Sequence, residues 1–195
     1  MTTLDNKQYV PIIITSEDLR TVAVTLKTVI ESVYINKQIP ALFHTEATGL
    51  IMGRNAAQKM LSEYFGANVI RGFYIDSDIV YNGTAEDLAK KIVKADNEKY
   101  SFVLPYKDKK GNWNLFGKDG ERLTEVPKGK RVYGAGLGFY YGDIFPSYRF
   151  EMKYNSTADI TKGEDIAFFE FLTKKKVKVI CEEVSVGHVK AVQIW

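Results

Sequence analysis

Apolar runs and amphipathic stretches alternate along the first half of the chain. The segment YVPIIIT (9–15) is a continuous apolar run of the kind found in parallel strands that are covered on both faces. Thr15 and Asp18 then have the spacing of a capping box, which predicts the start of a helix. The pattern therefore predicts a buried strand and a helix packed on the sheet. The apolar stripe of this helix is expected to comprise Leu19, Val22, Leu26, Ile30 and Val33.

A second strand and helix follow in the same order. IPALFH (39–44) predicts the strand, and the helix is expected from about Gly53 to Phe65, with Gly66 as its stop. The buried face expected for this helix is Ala56, Met60 and Leu61.

A third pair completes the alternation. GFYIDSDIV (72–80) begins with apolar residues and predicts a buried central strand. Thr84 and Asp87 have capping-box spacing, so another helix is expected behind them. Its apolar positions are Leu88, Ile92 and Val93.

The second half of the chain has a different pattern. Short strand-like pieces are separated by turn signals, and an acid-led helix is expected from near Gly163, followed by a last strand, KVKVIC (176–181). The sequence therefore predicts a single α/β domain over residues 1–195, with a mixed, mostly parallel sheet flanked by helices and an added β-hairpin region. Ligands of such sheets collect at the carboxyl ends of the strands. The strand-like pieces are SFVLPY (101–106), WNLF (113–116) and ERLTEV (121–126), and the exposed turns are residues 109–111 and 117–120.

Composition narrows the classes of protein. Of 195 residues, 27 are basic and 24 acidic, a net charge of +3 that argues against a surface adapted as a whole to nucleic acid. One cysteine, Cys181, and two histidines exclude a disulfide framework and a four-ligand zinc site. The apolar run from Val10 to Ile14 is too short for a signal peptide or a membrane span. We expect a soluble protein of a reducing compartment, the cytoplasm.

The segment from Lys107 to Arg131 holds eight basic and four acidic residues, a local charge of +4. With Trp113 and Phe116 among its charges, it could contact nucleic acid through phosphates and stacking. A solvated hairpin is the favoured interpretation, and a wall of an acceptor site is a further one.

Several familiar motifs are excluded by their spacing. Gly111 and Gly117 are six apart and Asp119 replaces the Ser or Thr of a phosphate loop. Gly134, Gly136 and Gly138 do not have dinucleotide-fingerprint spacing, so they are expected to permit close packing or a turn. Cys181 lies in an apolar strand and is expected to be a buried, inert thiol.

Asp76-Ser77-Asp78 is the first segment that carries chemistry. Residues i and i+2 of a strand project to one side, so both carboxylates could converge on a hard cation, or on a ribose and a cation. The motif alone has little specificity, but here it ends an apolar strand of the β/α half, where an anionic ligand is expected. A strand-end turn is the alternative.

Two more candidates come from the last third of the chain. Thr161 and Glu164 form a capping-box pattern that places Asp165 in the first turn of a helix. The helix dipole favours an ionised carboxylate there, as a general base requires, although acids are common at helix starts for structural reasons. His188 follows the last strand and is a candidate third metal ligand beside the aspartate pair; a hydrogen-bonded surface histidine is the default.

Taken in order, these segments resemble a glycosyltransferase of the GT-A fold, close to the family-2 type. The resemblance covers nearly the whole chain. In its size the chain also resembles small glycosyltransferases carried by archaeal viruses, which would place the protein in a host cytoplasm. The motifs that carry it are IIITSE (12–17), GLIMGRNAA (49–57) with Arg54, YIDSDIV (74–80), GAGLGFYY (134–141), GEDIAFFEFL (163–172) and VSVGH (184–188).

The resemblance implies sugar transfer from a nucleotide diphosphate sugar, a UDP- or GDP-sugar, to a hydroxyl of a glycan or glycoprotein. It assigns residues 1–80, approximately, to the donor nucleotide and residues 81–195 to the acceptor and catalysis. It implies inverting chemistry with Asp165 as the base and a divalent cation, Mn²⁺ or Mg²⁺; an imidazole ligand favours Mn²⁺. The implied nucleotide-binding residues are Thr15, Ser16, Glu17, Arg54, Asp76 and Ser77, and the implied metal ligands are Asp76, Asp78 and His188.

The chain departs from the family pattern in two places. Phe171 stands where the family often has Arg, and the Gln-x-x-Arg-Trp motif is missing, so a processive membrane synthase is not expected.

Three alternatives stay open. Asp76 and Asp78 also fit a haloacid dehalogenase-type phosphatase with Asp76 as nucleophile, although two strand and helix pairs precede them. A sugar-nucleotide pyrophosphorylase and a non-catalytic nucleic-acid-binding module are the others.

Overall fold

A computed structural model describes residues 5, 8–15, 22–45, 50–108, 110–154, 160–183 and 186–188. Strands and helices alternate as far as the third strand, a short strand then precedes the third helix, and short strands and a fourth helix follow. The elements are β1 (Tyr9–Thr15), α1 (Ala23–Ile35), β2 (Ile39–Thr45), α2 (Leu50–Phe65), β3 (Ile70–Asp76), β4 (Ile79–Tyr81), α3 (Ala85–Asn97), β5 (Ser101–Val103), β6 (Leu115–Phe116), β7 (Gly134–Ala135), β8 (Phe139–Ile144), β9 (Lys153–Tyr154), β10 (Ile160–Lys162), α4 (Glu164–Lys174), β11 (Val179–Cys181) and β12 (Val186–His188).

The central sheet has six strands in the order β11-β5-β8-β3-β1-β2. β1 pairs in parallel with both β2 and β3, and β11 pairs in parallel with β5. β8 runs antiparallel between β3 and β5. The predicted α/β fold with a mixed, mostly parallel sheet is therefore confirmed, and the glycine-rich segment supplies its antiparallel strand.

Helices cover both faces of this sheet. The side chains of β1 alternate between two cores: Ile12 and Ile14 pack with residues of α1 and α3, and Ile13 packs with residues of α2 and α4. Since both faces are covered, five consecutive residues of β1 are buried. This explains why its sequence is a continuous apolar run.

The second helix differs from its prediction in the face that it buries. α2 starts at Leu50, before the expected Gly53, and Gly66 follows its end with φ of +73°, as a stopping glycine does. Ala56 is exposed, whereas Arg54 and Gln58 are buried. Leu61 is buried and Met60 half-buried, as predicted, so the expectation was wrong only at Ala56. It also missed the buried polar residues, which have partners inside the protein.

The other two helices of the first half follow their predictions in part. The hydroxyl of Thr84 accepts a hydrogen bond from the Asp87 N–H at 3.2 Å, which confirms the cap of α3, but Val93 is 45% exposed and alanines complete the buried face. On α1, Val22 and Val33 are buried and Leu26 and Ile30 are half-buried. Asp18 and Leu19 lie outside the described residues.

The added hairpin region is present, with shorter strands than expected. β6 pairs with β7, and the turn at 117–120 is closed by the Gly117 N–H donating to the Glu121 carbonyl at 2.9 Å. ERLTEV forms no strand; it contributes one isolated bridge, from Arg122 to Phe116. The strand predicted at 176–181 is confined to Val179–Cys181 and is not the last, because β12 follows it and contains His188. The Cys181 side chain is buried, and burial raises the pKa of its thiol to about 12, as expected of an inert thiol. Within the described residues, no helix is both long and apolar enough to cross a membrane.

Candidate active site

The candidate site lies where β1 and β3 end. Thr15 and Asp76 are the last residues of these strands and are direct neighbours in the parallel register. Thr15 is half-buried, and the Asp76 N–H donates to the Gly138 carbonyl at 3.0 Å. The strand ends bring the predicted aspartate to the edge where ligands of such sheets bind.

Asp78 lies in a turn and not in the strand. β3 ends at Asp76, Ser77 and Asp78 form the turn, and β4 starts at Ile79. The expectation that strand alternation points both carboxylates to one side was therefore wrong, because strand geometry ends between them.

Arg54 is the centre of the site. It lies on α2, is 1% exposed, and contacts three carboxylates. Its Nη2 is 3.0 Å from Asp76 Oδ1, and its Nη1 is 3.1 Å from Glu164 Oε1 and 2.5 Å from Asp165 Oδ1. Burial by itself lowers the pKa of Arg54, but the three carboxylates outweigh burial and hold this pKa above its ordinary value. Arg54 therefore carries a permanent positive charge that joins a strand end to a helix start.

Asp165 lies in the first turn of α4, as predicted. Its Oδ1 accepts from Arg54, and its Oδ2 accepts from the Leu137 N–H at 3.3 Å. The side chain keeps 22% of its surface exposed. Burial raises the pKa of this carboxyl above its usual value, and Arg54 opposes that rise. The group is fixed, partly open to solvent and more basic than an ordinary aspartate.

Glu164 has another role than the predicted capping partner. The N-cap of α4 is Gly163, with no side-chain capping bond, and Thr161 belongs to β10. The capping-box prediction was wrong because Glu164 turns inward, where it is 8% exposed and binds Arg54.

Two residues near the carboxylates were missed by sequence reasoning. The Tyr106 hydroxyl accepts from the Asn114 amide at 2.8 Å, and Asp76 and Asp165 are close enough to raise the pKa of Tyr106 in addition to the larger effect of burial. A methyl group at Gly136 would collide with both the Tyr106 hydroxyl and the Asn114 amide. The glycine therefore permits close packing, as predicted, and the packed residue borders the site.

His188 is brought near Asp78 by backbone pairing. β12 runs antiparallel to β4, and His188 is paired with Ile79, the residue after Asp78. The side chain of His188 lies outside the described residues, as do Ser16 and Glu17. Within the part of the chain that the structure describes, no group of three or more His, Cys, Asp or Glu could hold a metal ion.

The carboxylates of Asp76 and Asp78 fit a cation that takes some of its ligands from the protein and the others from a diphosphate. Asp76 keeps 22% of its side chain exposed, and Asp78 is half-buried in the turn. Mg²⁺ and Mn²⁺ bind through one or two carboxylates and take remaining ligands from water or substrate phosphates. One carboxylate at a strand end and one in the turn that follows suit that arrangement and would not suffice for an all-protein cage.

The basic segment 107–131 is engaged within the protein. Four of its eight basic side chains lie on aromatic rings or pair with carboxylates, which favours the solvated-hairpin interpretation over a nucleic-acid surface. These contacts are Lys107 on the ring of Trp113, Arg122 with Asp108 at 2.6 Å, Lys128 with Glu183 at 2.6 Å, and Arg131 on the ring of Tyr133.

Comparison with known proteins places the fold. No family model and no curated protein matches the sequence. A crystal structure of a glycosyltransferase involved in the glycosylation of the major capsid of PBCV-1 superposes with a TM-score of 0.51 at 14% identity, over 94% of this chain and 96% of that one. The nucleoside-diphosphate-sugar pyrophosphorylase from Vibrio cholerae RC9 is less similar (TM-score 0.42, 14% identity, 90% and 75%), as is an apo UDP-glucose pyrophosphorylase (0.41, 12%, 93% and 72%). The chain thus has a GT-A-like fold, similar to that of a glycosyltransferase.

Proposed function

We propose that this protein transfers a sugar from a nucleotide diphosphate sugar to a hydroxyl acceptor, with a divalent cation and with inversion at the anomeric carbon. The observation that carries the proposal is the pairing of Arg54 with both Asp76 and Asp165. This pairing joins the strand-end carboxylate of Asp76 and the helix-start carboxylate of Asp165 in one partly exposed cluster, which supports a donor site beside a base. The GT-A-like fold supports it.

The donor side of the site is built on the ends of β1 and β3. Asp76 and Asp78, with His188, would hold the cation, and Thr15, Ser16, Glu17 and Ser77 would contact the nucleotide. When bound, the cation would neutralise the diphosphate charge. The resemblance implied that Arg54 binds the nucleotide, but here we give it a positioning role. Its guanidinium is buried against three carboxylates, so it positions Asp76 and Asp165 and does not itself contact the nucleotide.

The acceptor side depends on Asp165. The acceptor hydroxyl oxygen attacks the anomeric carbon, the bond from that carbon to the phosphate oxygen breaks, and its electron pair leaves with the nucleotide diphosphate. The hydroxyl proton passes to the Asp165 carboxylate. Arg54 and the Leu137 N–H hold that carboxylate in place, and burial raises its pKa, which makes it a stronger base. A single displacement of this kind inverts the anomeric centre.

Calorimetry tests the proposal directly. Wild-type protein is titrated with UDP- and GDP-sugars in the presence of Mn²⁺, and we expect at least one to bind and to be consumed when hydroxyl acceptors are added. Phosphate-free sugars and Mn²⁺ alone serve as controls. No binding of any nucleotide sugar would overturn the proposal. Hydrolysis of an aryl phosphate that is abolished in Asp76→Asn would favour the phosphatase alternative instead.

A further inference from the structure

A cavity of about 720 Å³ lies between the turn after β6 and one face of α4. This volume is within the range of small-ligand sites. Two aromatic residues, Phe116 and Tyr133, contribute to its lining, and the guanidinium groups of Arg122 and Arg131 lie 5.5 and 4.8 Å from their ring centroids. The cation–π contacts help to fix the positions of both rings.

The charges that line the cavity balance. Lys118 and Lys174 contribute two positive charges, and Asp119 and Glu170 contribute two negative ones. Such a lining has no net attraction for a polyanion, because nucleic acid and polyphosphate need an excess of positive charge. A neutral ligand with many hydroxyls fits better: carboxylates accept from hydroxyls, ammonium groups donate to them, and aromatic rings pack against the apolar face of a sugar ring.

The cavity adjoins the proposed base. Gly163 and Ile166 line it and lie two residues before and one residue after Asp165. Gly134, another lining residue, packs against Ile166, and three residues further along the chain the Leu137 N–H donates to Asp165. The proposed base therefore lies between two lining residues in the chain, and the backbone that follows a third lining residue holds its carboxylate.

We infer that this cavity binds neutral sugar residues of the acceptor, which is therefore a glycan and not a small alcohol or a nucleic acid. The inference rests on the proposed function. A glycan chain lying along α4 between the 117–120 turn and the helix would present its terminal hydroxyl to Asp165. The hairpin region added to the second half of the chain would thus select the acceptor.

Methyl NMR tests the inference without any donor. The protein is labelled at isoleucine δ1 methyls, so that Ile166 reports on the cavity and the buried Ile92 of α3 serves as the internal reference. The probes are maltotriose, mannotriose and chitotriose, with oligo-dT and tripolyphosphate as polyanions. At concentrations up to about 20 mM, we expect at least one trisaccharide to shift the methyl resonance of Ile166 and to leave that of Ile92 unchanged.

A filling variant locates the binding. Thr173 is exposed and lines the cavity, so Thr173→Trp should occupy the space and weaken trisaccharide binding at least about tenfold. Thr28→Trp on α1, where the hydroxyl bonds within its own helix, is the matched control and should bind as wild type does. The inference would be overturned if only the polyanions shifted the Ile166 methyl resonance, or if no probe shifted it. It would also be overturned if the trisaccharides bound Thr173→Trp as tightly as wild type. Failure of the proposed function is distinct, since it appears as absent nucleotide-sugar binding in calorimetry.

Discussion

The Nη1 atom of Arg54 lies 2.5 Å from Oδ1 of Asp165 and joins α2 to α4 across 111 positions of the chain. The guanidinium is almost wholly buried, so it is stable there only because carboxylates surround it. The same contact fixes the carboxylate to which we assign proton transfer. Stability and function therefore depend on one ion-pair cluster.

Replacing Arg54 should destabilise the fold strongly. Arg54→Met leaves three partly buried carboxylates without their positive partner, and we expect the free energy of unfolding in urea to fall by about 3 to 5 kcal/mol. Lys27→Met is the control, because Lys27 and Glu31 form an exposed pair at 3.8 Å. Its loss should cost less than about 0.5 kcal/mol. Equal effects of the two substitutions would show that the Arg54 cluster contributes no more than a surface pair.

The pH dependence of transfer should report Asp165. Only the ionised carboxylate accepts a proton, so kcat/KM should fall as pH decreases through a pKa that lies above the ordinary 3.8. Because the pKa is raised on folding, the proton binds more tightly in the folded state. The contribution of Asp165 to the free energy of unfolding therefore decreases as pH rises from 3.8 through the raised pKa, and Asp165→Asn removes this dependence.

Carboxyl NMR supplies the site-specific measurement and its control. Asp108 is an exposed carboxyl whose hydrogen bond from Arg122 lowers its pKa to about 2, so its signal should titrate well below that of Asp165. If Asp165 titrates at or below the ordinary aspartate value, the assignment of a raised pKa is wrong.

Removal of the divalent cation should abolish transfer. Treatment with a chelator is expected to stop turnover, and Mn²⁺ to restore it. Asp78→Asn should weaken Mn²⁺ binding by at least about tenfold. The binding is measured by electron paramagnetic resonance in the presence of the nucleotide. Glu31→Gln, on the surface of α1, should leave Mn²⁺ binding as it is. Full activity in the chelator would contradict the metal-dependent part of the proposal.

Gly136→Ala should disturb the wall of the site. The added methyl collides with Tyr106 and Asn114, and overpacking of this kind costs about 1 to 3 kcal/mol in the free energy of unfolding. Displacement of Tyr106 should also lower the rate of transfer. Gly111→Ala is the control, because its added methyl would have no atom within 4 Å and only the left-handed backbone conformation would be strained. This substitution should lower stability slightly and leave transfer intact. Transfer at the wild-type rate in Gly136→Ala would remove Tyr106 from the site.

The strand and helix order of the first half could be predicted from sequence because its signals are local. A doubly covered strand such as β1 has a continuous apolar run, and the cap at Thr84 is set by residues three positions apart. The positions of Asp76 at a strand end and of Asp165 in the first turn of a helix were also predicted, since both are visible in the pattern. What the pattern did not reveal is that these carboxylates share Arg54.

The missed features depend on distant partners. Arg54 is buried because of carboxylates 22 to 111 positions away, so a rule that selects apolar residues found Leu61 but missed Arg54 on the buried face of α2. Tyr106 is visible only once the glycine segment is seen to pack against it. The glycines at 136 and 138 were the one available signal, because a glycine away from a turn often marks a close approach.

The anomeric configuration of the product, measured with wild type and Asp165→Asn, tests the central claim most directly. The amide keeps an oxygen for Arg54 but cannot accept the hydroxyl proton, so transfer should fall by about 10² to 10⁴ in kcat while nucleotide-sugar binding persists. Asp87→Asn, in the first turn of α3, is the matched control and should transfer as wild type does. Proton NMR of the wild-type product should show an inverted anomeric centre. A retained configuration, or undiminished transfer by Asp165→Asn, would contradict the account.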